Sequence, residues 1–160
     1  MNIKLLFNLL FFFFAFNIQA NTQKTGFDKS AFYSAMAADD IEAVNTQLNI
    51  LKAGTMAYKE AYEGALLMKK AGLVAKASEK LSLFKKGRLK LEAAMKSDKE
   101  NTEFSFLRLI IQEHAPKVVD YRGDIENDIA LIRLNYKTLP QVIQQAISDY
   151  SKKSKALKSL

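Results

Sequence analysis

Two side chains in this sequence carry chemistry that demands a partner, and both fall between Thr102 and Pro116. His114 is the only histidine. As a metal ligand or general base it would need further ligands or a carboxylate converging on it, and the adjacent Glu113 points roughly 100° away around a helix. The expected role is structural, an imidazole near the negative end of a helix dipole. Arg108 lies between Leu107 and Leu109 in the most apolar segment of the chain. A buried guanidinium must be paired and hydrogen-bonded, since an uncompensated buried charge costs about 3 to 5 kcal/mol. No acid stands at 104, 105, 111 or 112, so the partner has to come from another segment. Glu63, flanked by Tyr62 and Gly64, is the first candidate and Glu92 the second. A structural ion pair outranks a ligand-binding arginine.

The third constellation is a run of positive charge. Residues 69 to 99 hold ten Lys or Arg against three acids, and Lys69, Lys70, Lys85, Lys86, Arg88 and Lys90 form the candidate interaction face. Such a face suits an anionic protein, lipid or cell-wall polymer, or it is merely solvated. Nucleic acid is disfavoured, because lysine outnumbers arginine there nine to one and no aromatic residues interleave as stacking platforms. Asp124, Glu126 and Asp128 alternate by two, a spacing that spreads them around a helix instead of converging on calcium. Gly-rich phosphate loops, nucleophile elbows and His-Glu-x-x-His are absent from the sequence. No catalytic residue, metal site or cofactor is expected, and the reading is of a non-enzymatic protein.

The elements that would position these residues are helical. Ser30 is the expected cap of a first helix, and Asp39-Asp40 opens a segment striped by Ile41, Val44, Leu48 and Leu51, as one bent helix or two. Helices are expected from Thr55 to Ala71, with Tyr58 and Tyr62 inward, and from Val74 to Ser97, with Ala77, Leu81, Phe84, Leu91 and Met95 in one stripe. Thr102 caps the next helix, which is apolar nearly all round and so belongs at the centre. Pro116 ends it, Asp124 opens another helix, and Pro140 precedes the last stripe of Ile143, Ile147 and Tyr150. Alternating strand patterns and hairpin turns are lacking. The fold class is all-α, with six or seven antiparallel helices in a single domain over residues 30–157 and a frayed basic tail of four lysines at 151–160.

The beginning of the chain sets the expected compartment. Lys4, the apolar run from Leu5 to Phe16 broken only by Asn8, and a closing Ala20 predict a signal peptide over residues 1–20, with a flexible segment at 21–29. Cleavage after Ala20 leaves 140 of the 160 residues, and loss of Lys4 alone takes the formal charge from +7 to +6. A domain of that size needs no staples, consistent with zero cysteines. The expectation is an exported protein, periplasmic or secreted.

Residues from about 78 to 104 resemble a tetratricopeptide-repeat hairpin. Gly87 and Ala94 match its small positions and Leu91 a large one, with Ser97-Asp98-Lys99-Glu100 as the turn before Thr102-Glu103-Phe104, although Lys99 stands where the repeat has proline. That resemblance implies TPR-like hairpin packing and the binding of a peptide or protein. The chain as a whole is similar to small exported helical proteins of Gram-negative bacteria, which implies no activity. A protein or peptide partner is therefore the leading expectation, and an anionic envelope surface the alternative.

Overall fold

The structure, a computed structural model, describes residues 26–158. The expected signal peptide, the cleavage position after Ala20 and residues 21–25 lie outside the described residues. Those described form an all-helical bundle of seven α-helices: α1 (Lys29–Ala37), α2 (Ile41–Ala53), α3 (Lys59–Leu73), α4 (Ala77–Ser97), α5 (Thr102–His114), α6 (Ile125–Asn135) and α7 (Gln141–Ser151). Short 3-10 turns at Lys117–Val119 and Tyr136–Thr138 complete the connections.

The first helix starts earlier than Ser30 suggested. Asp28 is its cap, accepting from the Ala31 amide at 2.7 Å. Phe27, just before that cap, packs on Phe32 at 5.6 Å between ring centroids and on Tyr62 at 4.8 Å. This hydrophobic staple anchors the chain from Phe27 onward, so the last part of the segment expected to be flexible is packed. Asp40 caps α2 by accepting from the Glu42 and Ala43 amides, and the break at Ala38–Asp40 makes two helices. At α5, Asn101 and not Thr102 supplies the cap, accepting from Phe104 N at 3.2 Å. The Thr102 hydroxyl instead receives Asn135 Nδ2 from α6.

Helix α3 begins at Lys59, after Tyr58 has taken a left-handed conformation with φ 62°. Tyr58 is half exposed rather than inward, with one ring edge on Phe104. Antiparallel to α3 runs α4, and their crossing is set by glycine. A Cβ on Gly87 would stand 2.5 Å from the Gly64 carbonyl oxygen, and one on Gly64 would stand 2.7 Å from the Leu91 amide nitrogen. Backbone therefore packs on backbone, a distance no other residue type permits.

Helix α5 is the centre, as its composition predicts: Phe104, Phe106, Leu107, Leu109, Ile110 and Ile111 are all buried. Around it close α1, α3, α4, α6 and α7. The expected frayed tail is held down as far as Leu157, which is fully buried. Glu113 holds it, accepting from Tyr150 Oη at 2.7 Å, Ser154 Oγ at 2.6 Å, and the Lys155 and Ala156 amides at 2.9 and 3.1 Å. These four bonds, led by those from Ser154 and Tyr150, outweigh partial burial and hold the carboxyl below its ordinary pKa.

Candidate functional site

The C-terminal turn of α5 is where the packing opens. Between α1, α7 and this turn lies a cleft of about 770 Å³, floored by Met36, Phe106, Ile110 and Val142. A second groove of about 410 Å³ runs between the end of α3, the start of α4 and the 3-10 turn, over Met68, Phe84, Ile110 and Ile111. Met36, Asp39, Lys69, Ile110 and His114 line both. Two hollows, the smaller mainly apolar and the larger of mixed lining, thus share one wall that carries the 3.0 Å Lys69–Asp39 ion pair. The Lys69 ammonium, as hydrogen-bond donor and as charge, holds the Asp39 carboxyl below its usual value.

His114 closes α5 as expected, exposed and with Nδ1 2.8 Å from the Ile110 carbonyl oxygen. A carbonyl oxygen only accepts, so in this contact Nδ1 carries the proton. The carboxylates nearby are engaged elsewhere: Glu113 with the tail, Asp39 with Lys69, and Asp149 with Gln145 and Lys152. None orients the imidazole as a base. Among the described residues no group of three or more His, Cys, Asp or Glu is placed to hold a metal ion.

Arg108 is paired across elements, but not with Glu63. Its Nε and Nη2 each donate to Asp128 at 2.8 Å, while Nη1 stands 3.3 Å from Asp124 and 3.6 Å from Glu92. Glu63 lies on the other side of the α3–α4 hairpin, 3.2 Å from Lys90. The reason is helical register: Asp124 and Asp128 are four apart, so they share the α6 face that lies on α5. Reading the three acids at spacings of two concealed this, although the i, i+4 pair was present in the sequence. Burial raises the Asp128 carboxyl above its ordinary pKa, and the Arg108 bonds oppose the rise. Burial alone would lower Arg108; the Asp128 bonds and the surrounding carboxylates reverse that and leave it raised. Glu92 also accepts from Tyr121 Oη at 2.5 Å. The network is an intramolecular clasp, buried at its Asp128 end and half exposed at Asp124.

The basic face divides into paired and unpaired members. Lys69 meets Asp39, Lys70 donates to Asn45 at 2.7 Å, and Lys90 pairs with Glu60 and Glu63. The Arg88 guanidinium stacks over the Tyr121 ring at 4.8 Å. Lys85 and Lys86 remain exposed, with no ion pair among the described residues. Of the six, Lys69, Lys70, Arg88 and Lys90 thus have partners within the protein, and Lys85 and Lys86 do not among the described residues.

Sequence reasoning placed Leu81 inward, yet it is 47% exposed on the rim of the smaller groove, opposite Val118 at 89%. The surrounding elements leave the outer side of this first part of α4 uncovered. The signal that could have shown it is local: Ala75 to Lys80 offers no large apolar residue to continue the stripe. None of the described helices is long and apolar enough to cross a membrane. Comparison with protein-family models, with curated proteins and with solved structures returns no match.

Proposed function

We propose that this is a non-enzymatic binding domain that takes a peptide or a segment of another protein in the paired clefts at the end of α5. The observation that carries this reading is their shared wall. Two hollows of about 770 and 410 Å³, the larger of mixed polar and apolar lining and the smaller mainly apolar, adjoin at Ile110 and His114 and match successive side chains of one chain better than a single compact ligand. Polar groups stand at the rim, where they fix orientation. The other charged clusters, around Arg108 and Lys90, are already satisfied within the protein.

Binding would take place outside the cytoplasm, with the N-terminal segment removed after Ala20. Mass spectrometry of exported protein beginning at Asn21 supports that compartment, and an intact Met1 terminus in the membrane fraction contradicts it. The binding reading is tested by selecting displayed random peptides on the immobilised protein and repeating the selection with Ala37→Trp, which fills the larger cleft, and with Leu81→Glu, which charges the smaller. Peptides lost with either variant support it. Enrichment indifferent to both contradicts it.

A further inference from the structure

We infer that the smaller groove is the specificity site and that its partner is an acidic amphipathic segment of another protein. The inference rests on the binding reading above and narrows it. Among the described residues five large apolar side chains stand exposed, and two of them, Leu81 and Val118, line this groove from α4 and from the 3-10 turn. Between them lies an apolar floor that includes Phe84 and Ile111. Concavity is the deciding feature. A bilayer surface is met by apolar side chains that protrude from a convex face, whereas a hollow of about 410 Å³ below its own rim receives side chains inserted from a partner.

Charge specifies the partner's other face. Lys80 lines the groove, Lys76 stands one helical turn before it, and Lys85 stands one turn beyond Leu81. Lys117 adjoins Val118 in the 3-10 turn on the opposite bank. All four are exposed, and none is in an ion pair among the described residues. Glu79 is the only acid between Leu73 and Leu91. Lys80 thus brings an unpaired member of the basic run to the hollow, whose one lining carboxylate, Asp39, is already paired with Lys69. A segment with Leu, Ile or Phe side chains for the hollow and Asp or Glu on its flanks complements both.

The test compares peptides selected on the wild-type protein from a random display library with the unselected library. Clones should be enriched in Asp and Glu as well as in large apolar residues. Synthetic versions should bind at least ten-fold more weakly to Leu81→Glu and to the double variant Lys80→Glu, Lys85→Glu, with circular dichroism confirming that both fold. Raising salt should weaken binding to wild type and spare the residual binding to the double variant. Clones without acidic enrichment, or acidic clones indifferent to these changes, overturn the inference. If clones enrich but are lost only with Ala37→Trp, the binding reading stands and this narrower one falls. If no clone enriches, both fall. A parallel co-sedimentation with phosphatidylglycerol vesicles separates the remaining source of anionic charge: vesicle binding lost with Leu81→Glu, without peptide binding, assigns the groove to lipid and overturns the inference.

Discussion

Arg108 and Asp128 meet through two hydrogen bonds of 2.8 Å, from Nε and Nη2 to the two carboxylate oxygens, that join α5 to α6. The fork geometry of a guanidinium matches a carboxylate in this arrangement, so the pair fixes the register of the two helices as well as their contact. Asp128 is 1% exposed. Asp128→Ala should therefore lower stability in urea titrations by about 1 to 3 kcal/mol, because it removes both 2.8 Å bonds and leaves the partly buried guanidinium only the more exposed Asp124 and Glu92. Arg108→Met with Asp128→Leu should cost less than the sum of the single changes. Glu63→Ala, which touches only the Lys90 cluster near the surface, should cost no more than about 1 kcal/mol. Equal losses from Glu63→Ala and Asp128→Ala would contradict this assignment.

The α3–α4 crossing gives a contrast between glycines. Gly87→Ala drives a Cβ into the Gly64 carbonyl and Met68, and should destabilise by about 1 to 3 kcal/mol as the helices are forced apart. Gly72 sits in the same hairpin with open space around it, inside the helical span of α3. There alanine should stabilise by about 0.5 to 1 kcal/mol through helix propensity. Thermal unfolding of both variants checks the pair, and a stability loss at Gly72 matching that at Gly87 would contradict the packing.

Glu113 makes the C-terminal tail pH-sensitive. Its folded carboxyl lies below the ordinary value of 4.5, so the unfolded state binds the proton more readily. The stabilisation is complete above that ordinary value and is lost as pH falls through it towards the depressed folded value. Amide hydrogen exchange at Lys155 and Ala156 should accelerate relative to the core as the carboxyl protonates. In Glu113→Gln the tail should already be loosened at neutral pH and show little further change on acidification. Identical exchange in the two proteins across this range would contradict the anchor.

The central helix was legible because an apolar pattern on every face has one physical solution, burial among other helices. The Leu107 position makes that checkable: Leu107→Ala should cost about 2 to 5 kcal/mol by calorimetry or denaturant titration, since the side chain is fully buried. Partner choice was less legible. Local composition points to Glu63 and Glu92 for Arg108; Glu92 does stand 3.6 Å from it, but the main partner, Asp128, depends on which face of α6 lies on α5, a property of tertiary register. Caps shifted by one or two residues for a similar reason: Asp28, Ser30, Asn101 and Thr102 are all competent cap residues, and the packing of Phe27 and Phe104 selects among them. The clefts were not legible, because they are made by what fails to cover α4 and the end of α5.

The binding account is tested most directly by following methyl and amide NMR signals while a display-selected peptide is titrated into the protein. The account predicts that shifts concentrate on Met36, Leu81, Ile110 and Val118, with the Arg108–Asp128 region unchanged. Shifts confined to the Glu60, Glu63 and Lys90 cluster, or spread evenly over the bundle, would contradict it.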